Sequence, residues 1–555
     1  MPVPRYQGDE TSSFSVIDVP LHTRRNAGQP RRVHPSPGRI GPVRNKRAES
    51  RHSRSQENSD SCSHSLSSYR SDDAVRGGQL PVYDKRMPEN RLHIPRRALL
   101  RQSAAGFGLL GLRSLIAAES TPPSLLTPKQ PHFEPTVKRI IFLFMHGGPS
   151  SIDTFDPKPR LDKDNGKPVP FKRGLTFGED GVRGLMKSPW AFKQYGQSGI
   201  PVSELFPNVA TCVDDLCMIR SMVGDGVDHG AALLQLHTGV FQFKRPSMGS
   251  WVLYGLGTEN QNLPGFITIK PSLGHGGQNN WSSSFLPGEY QGTAIGNSGM
   301  KVSEVEKEPV PYLVSKGLPP EQQRYELDML QNMNRRHAEL NDHDSDLEAR
   351  IGALELAFRM QIKAPEAFEV DKESEATKKL YGLDNEITKD FGWQCLLARR
   401  LSERGVRFVQ CSHSYKWDQH VDLFKLHTKN AADVDKPIAG LLKDLKARGQ
   451  LKDTLVIWGG EFGRTPWAQG SDGRDHNPYG YTIWMAGAGV KPGFIYGATD
   501  EFGYHAVENR MHIHDLHATV LHMLGLDHLK LTYKYAGRDF RLTDVAGTVA
   551  PGIFA

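Results

Sequence analysis

The sequence predicts an α/β protein, a mostly parallel sheet flanked by helices, with a helical insertion and a disordered N-terminal extension. Three observations predict it. Apolar runs at 139–145, 406–410, 454–458 and 481–485 read as buried strands, and they are continuous rather than alternating, as in strands covered on both faces. Between two of them, residues 433–448 read as a helix, a crossover long enough to join parallel strands with a right-handed connection. Finally, Trp417-Asp418-Gln419-His420, Gly459-Gly460-Glu461-Phe462-Gly463-Arg464 and Asp475-His476 lie at the ends of these runs, where open α/β sheets place their ligand crevice.

The other elements follow in order. After the run at 139–145 comes His146-Gly147-Gly148-Pro149-Ser150, whose glycines break the strand and let backbone approach a ligand closely. Residues 201–217 read as a helix leading to a short strand at 218–220. Gly224-Asp225-Gly226-Val227-Asp228-His229-Gly230 then leads into a helix at 231–237, a junction that faces the positive end of a helix dipole. From 319 to 404 the chain is charged and periodic at helical spacing, which reads as the inserted helical subdomain.

At 555 residues, 37% hydrophobic and 24% charged, the chain is long enough for one large core or two modest ones. The net charge of +7 is misleading, because residues 1–86 hold 15 Lys/Arg against 9 Asp/Glu and so carry +6 of it. The rest is nearly neutral, which argues against a nucleic-acid partner. Residues 1–86 are rich in Arg, Ser, Pro and Gly and poor in aliphatics, so burial cannot offset their ordering entropy. Met87 opens a more sensible N-terminus, and residues 87–120, with Arg96-Arg97 before a weakly apolar run and small residues at Ala117-Ala118, resemble a twin-arginine export signal. Export to the periplasm or beyond is the expectation. No stretch approaches the ~18 apolar residues of a stable membrane span. The five cysteines exclude a disulfide-built scaffold; Cys212 and Cys217 read as buried thiols or as an exported pair.

Asp418, His420, Glu461 and His476 make a mixed oxygen and nitrogen set suited to a divalent cation such as Zn, Mn or Fe. Asp475 reads either as a ligand or as a carboxylate orienting His476. Arg464 is the candidate to bind an oxyanion, since guanidinium matches phosphate or sulfate in two-point fashion, with a structural ion pair as the other reading. Asp153 and Asp156 read as turn and cap residues or as groups facing the site, and His514 and His517, one helical turn apart, as helix packing.

The order strand, Asp-x-His, helix, strand, Gly-x-Glu-x-Gly, then Asp475-His476 resembles the alkaline phosphatase, sulfatase and phosphoglycerate mutase superfamily. Over 136–550 the fold is therefore expected to be alkaline-phosphatase-like. More closely, His146-Gly147-Gly148-Pro149-Ser150, the segment 459–466 and His512-Ile513-His514-Asp515-Leu516-His517 resemble domain-of-unknown-function family 1501, whose members often carry twin-arginine signals. The resemblance implies His146 at the superfamily's first-strand Asp position, Asp418 and His420 as its paired ligands, and His476 as its last His. Glu461 and Phe462 match its next Asp-His pair, so one imidazole is replaced by an apolar ring. The nucleophile position falls on His229, so no hydroxyl or thiol stands there.

Two functions fit this pattern. One is an exported metal-dependent hydrolase of sulfate or phosphate esters, small or polymeric, with His229 as general base or phosphoryl acceptor. The other is a binding or assembly protein that keeps the fold without the nucleophile. The retained cluster favours the first, the missing nucleophile the second. On export, replacing Arg96 and Arg97 together by Lys is expected to hold the precursor in the cytoplasm, as fractionation and precursor size would show; unchanged export removes the signal.

Overall fold

The computed structural model describes residues 124–178, 181–310, 317–340, 345–363 and 365–555. The segments read as extension (1–86) and export signal (87–120) lie outside the described residues. Nine strands form one sheet: β1 (Arg139–Met145), β2 (Leu216–Val223), β3 (Phe266–Ile269), β4 (Thr293–Ile295), β5 (Phe408–His413), β6 (Thr454–Gly459), β7 (Tyr481–Ala486), β8 (Phe494–Tyr496) and β9 (Met511–His512). Their order is β8-β2-β7-β6-β1-β5-β3-β4, with β9 also on β2. Every pairing is parallel except the two that β7 makes with β2 and β6.

Two core clusters lie on the two faces of this sheet, and β1 shows why its sequence is apolar throughout. Ile141, Leu143 and Met145 join one cluster while Ile140, Phe142 and Phe144 join the other, the two-residue period of a strand covered on both sides. Val456 and Trp458 against Leu455 and Ile457 repeat the alternation in β6. Helices α1 (His229–Thr238), α2 (Met248–Leu256) and α7 (Ile513–Met523) cover the second face; α5 (Lys389–Glu403) and α6 (Leu423–Ala447) cover the first. Helices α3 (Pro320–Leu340) and α4 (Ser345–Lys363) are tied together by Arg324 to Glu355 at 2.8 Å and by Gln331 Nε2 donating to the Ile351 carbonyl.

Two local expectations are corrected. The helix expected at 201–217 is an antiparallel strand, Ile200–Ser203 paired with Phe192–Tyr195, followed by a 3₁₀ helix, Val209–Asp215. Leu205, Phe206, Val209 and Val213 have helix-like spacing, but tertiary packing seats them with a tighter turn. Helix α6 begins ten residues before the expected start and carries Pro437 in its interior. β3 and β4, four and three residues long, are too short for periodicity to reveal. Within the stretch 319–404, α5 buries Trp393, Cys395, Leu396 and Leu397 in the first core cluster. The four described cysteines are buried free thiols, so Cys212 and Cys217 do not pair.

Phe142→Ala empties a fully enclosed site in the middle strand, where Phe142 is 1% exposed, and is expected to cost about 3–5 kcal/mol. A denaturant midpoint shift worth less than about 1 kcal/mol would contradict packing on this face.

Candidate metal centre

Because β7 alone runs antiparallel, its N-terminal end lies at the edge where the parallel strands β1, β5 and β6 have their C-terminal ends. His146 follows β1, Trp417 to His420 follow β5, Glu461 follows β6, and His476 precedes β7, so all four loops meet at one edge. The approach is very close. A Cβ on Gly147 (φ +114°) would lie 2.7 Å from Asp418 N, and one on Gly148 (φ +76°) would lie 2.6 Å from the Phe462 ring. Only glycine fits either place.

Arg464 locks these loops. Its side chain is fully buried; Nε donates to the Gly148 carbonyl at 2.9 Å, Nη1 to Arg474 O at 3.2 Å, and Nη2 to Gly147 O, Trp417 O and Asp418 Oδ1. The reading of Arg464 as an oxyanion binder is therefore corrected: buried donors already aimed at carbonyls and a carboxylate are not presented to a ligand. Asp153 is likewise structural, meeting Arg474 through two hydrogen bonds at 2.7 and 3.1 Å with both side chains 0% exposed. Asp156 binds Thr499 and Lys158, and His517 and His514 donate to the Leu236 and Gly239 carbonyls.

The remaining predicted residues do come together. Asp418 Oδ1 lies 2.8 Å from His420 Nε2, 3.2 Å from His229 Nε2 and 3.3 Å from His476 Nε2. Burial pushes the Asp418 carboxyl up, but its imidazole bonds and the Arg464 charge outweigh this and hold it far below the usual carboxylate range. Glu461, buried, lies 2.6 Å from His229 Nδ1 and accepts from Gly147 N at 2.9 Å. Its carboxyl is lowered overall because the His229 contact outweighs burial. Asp228 caps α1, its carboxylate accepting from Ala231 N, which places His229 at the first helical position. Burial works against a charged His229, yet Asp418 and Glu461 raise it to about 9. His146 goes the other way, down to about 4 through burial.

His476 supplies the most telling geometry. Its Nδ1 lies 2.7 Å from the Val227 carbonyl, which can only accept, so Nδ1 carries the proton. Burial, then the Arg464 charge, lower this imidazole to about 4. At neutral pH its Nε2 is thus a bare lone pair pointing at a carboxylate oxygen and at His420 Nε2, 3.0 Å away. Lone pairs turned toward one another call for a cation between them. One further buried nitrogen, His146 Nδ1, lacks any hydrogen-bond partner among the described residues. The donors sort into three groups whose atoms lie within 4.8 Å of one another: His146, His229 and Glu461; His229, Asp418 and His476; His420, Asp475 and His476. This donor set fits a divalent ion. Asp475 also accepts from Gly178 N and from its neighbour His476 N, as an orienting carboxylate does.

Sequence reading missed three residues at the rim. His275 Nδ1 is 3.1 Å from His146 Nε2, the Tyr415 hydroxyl is 3.2 Å from Asp418 Oδ2, and the exposed Phe177 ring lies 5.1 Å from that of His476. The one available signal was a histidine set among glycines, Gly274-His275-Gly276-Gly277.

A helix-flanked, mostly parallel sheet with an imidazole and carboxylate cluster at one edge defines the class of protein. A family model described as "Protein of unknown function (DUF1501)" matches residues 137–554, and the chain belongs to that family. No curated protein is significantly similar to it. Among solved structures, the lipoteichoic acid synthase LtaP from Listeria monocytogenes is 9% identical, covering 75% of this chain and 78% of its own at TM-score 0.31. Alkaline phosphatase from the Antarctic bacterium TAB5 is 10% identical, covering 71% and 99% at TM-score 0.28. The PsFucS1 sulfatase from Pseudoalteromonas sp. is 12% identical, covering 70% and 68% at TM-score 0.27.

Asp153→Ala leaves the buried Arg474 guanidinium unpaired and is expected to destabilise the fold by about 3–5 kcal/mol. Chemical denaturation measures this, and a loss below about 1 kcal/mol would mean that the backbone carbonyls around Arg474 suffice.

Proposed function

We propose that this protein is a metal-dependent hydrolase of phosphate or sulfate esters, carried on small molecules or polysaccharides, and exported by the twin-arginine route. One observation carries the reading: the bare Nε2 of His476 aimed at Asp418 Oδ1 and His420 Nε2 in a buried cluster. Asp418, His420 and His476 would hold one ion, with Glu461 and His146 available to it or to a second. When bound, a divalent cation supplies Lewis-acid polarisation of the ester; Zn, Mn and Fe all suit these donors.

The chain's own residues supply the rest. His229, rather than a Ser, Thr or Cys, occupies the start of α1, which favours direct attack by water over an intermediate on a hydroxyl or thiol. Held between Asp418 and Glu461, His229 is placed to exchange a proton with the attacking water or the leaving oxygen. Among the described residues no helix is long and apolar enough to cross a membrane.

The test is metal analysis of protein expressed from Met87, followed by a panel of phosphate and sulfate esters. Asp418→Ala and His476→Ala are expected to lose bound metal, while His514→Ala, whose imidazole serves the Gly239 carbonyl, keeps it. His146 and His476 are lowered to about 4, hence neutral and ready to coordinate above that pH; metal content should hold at neutral pH and fall as pH drops through about 4. Wild-type protein without metal, or full occupancy in both variants, would leave the binding-protein reading in its place.

A further inference from the structure

With Arg464 committed to the loops, an ester's oxyanion must find its donors elsewhere on the rim. His275 and Tyr415 both have φ of +47°, the left-handed region that side chains other than glycine rarely occupy and that seven other described non-glycine residues share. Such strain persists only where surrounding structure enforces it, and it gathers at ligand clamps. Here the enforcement is visible. Asn280 Nδ2 donates to the His275 carbonyl at 3.1 Å, Trp417 N and Lys416 N both donate to His146 O at 3.1 Å, and Ser414 Oγ donates to Lys270 O at 2.9 Å. That last bond ties together the loops leaving the adjacent strands β3 and β5.

The strained rings touch each other, with centroids 4.6 Å apart and planes at 64°. Together they lean over the imidazoles that lead into the site: Tyr415 lies 5.1 Å from His146 and 5.5 Å from His229, and His275 lies 5.3 and 5.2 Å from the same pair. Their polar ends remain available. His275 Nε2 makes no hydrogen bond among the described residues, and Tyr415, 48% exposed, holds Asp418 Oδ2 only at 3.2 Å, long for a hydroxyl donor.

We propose that His275 and Tyr415 form the anion-binding wall of this site, His275 Nε2 and the Tyr415 hydroxyl donating to the non-bridging oxygens of a tetrahedral phosphate or sulfate monoester. The assignment rests on the ester-hydrolase reading for its substrate class. It makes both residues substrate-binding groups rather than parts of the ion's cage.

The experiment is calorimetric titration of the protein, wild type, Tyr415→Phe and His275→Gly, with inorganic phosphate and with sulfate, alongside metal content and melting temperature. Each variant removes one hydrogen bond to a charged ligand, so affinity for the preferred anion should fall roughly ten- to hundred-fold. Metal content should stay at the wild-type level. Glycine is at home at φ +47°, so His275→Gly should melt within about 2 °C of wild type. Anion affinity within twofold of wild type in both variants overturns the proposal, as does loss of metal from His275→Gly, which would make His275 an ion ligand, or a wild type that binds neither anion. A merely structural role would lower the melting temperature and leave anion affinity alone, which also overturns it. Metal-free wild type that still binds phosphate through these residues removes the hydrolase reading and keeps the wall.

Discussion

One guanidinium holds the edge of the sheet together. Arg464 is wholly buried and its donors reach four carbonyls, at Gly147, Gly148, Trp417 and Arg474, and the Asp418 carboxylate. These acceptors belong to the loop after β1, the loop after β5 and the turn before β7. A buried cation is costly unless its donors are satisfied, and once satisfied it is costly to disturb. Gly147 and Gly148 make the arrangement possible, since any side chain there would strike Asp418 or Phe462. The position of Asp418, and through it of three imidazoles, depends on this clamp.

Around Asp418 the electrostatics divide the histidines by role. His476 is fixed in one tautomer by a carbonyl and made neutral by burial, which leaves a lone pair to offer. His229 lies between two carboxylates and keeps its proton. The rim adds a third kind of residue: His275 and Tyr415 face the cluster from left-handed backbone, His275 beside His146 and Tyr415 beside Asp418 Oδ2.

Much of the candidate site was legible in the sequence because chemistry-bearing residues at strand ends need only element order to be placed. Asp418, His420, Glu461 and His476 each flank a long apolar run, and such runs announce themselves. For Arg464 the sequence leaves two readings open, an oxyanion binder and a structural ion pair, and the structure shows the ion pair. A guanidinium's chemistry suits an oxyanion and a set of carbonyls equally well, and only burial separates the two. His275 follows β3, a four-residue strand with no readable period, so nothing in sequence linked it to His146.

What the sequence determined by itself is the two-sided sheet and the order of its main strands, because continuous apolar runs have nowhere stable to lie except between two layers of helices. It also determined which residue types carry the chemistry. The tertiary structure decided that β7 runs against its neighbours, which brings His476 to the same edge as His146, Asp418 and Glu461. It decided that Arg464 faces inward and that His275 and Tyr415 meet over the cluster. Strand direction, burial and left-handed backbone are set by contacts between residues up to several hundred positions apart, and local sequence holds no record of them.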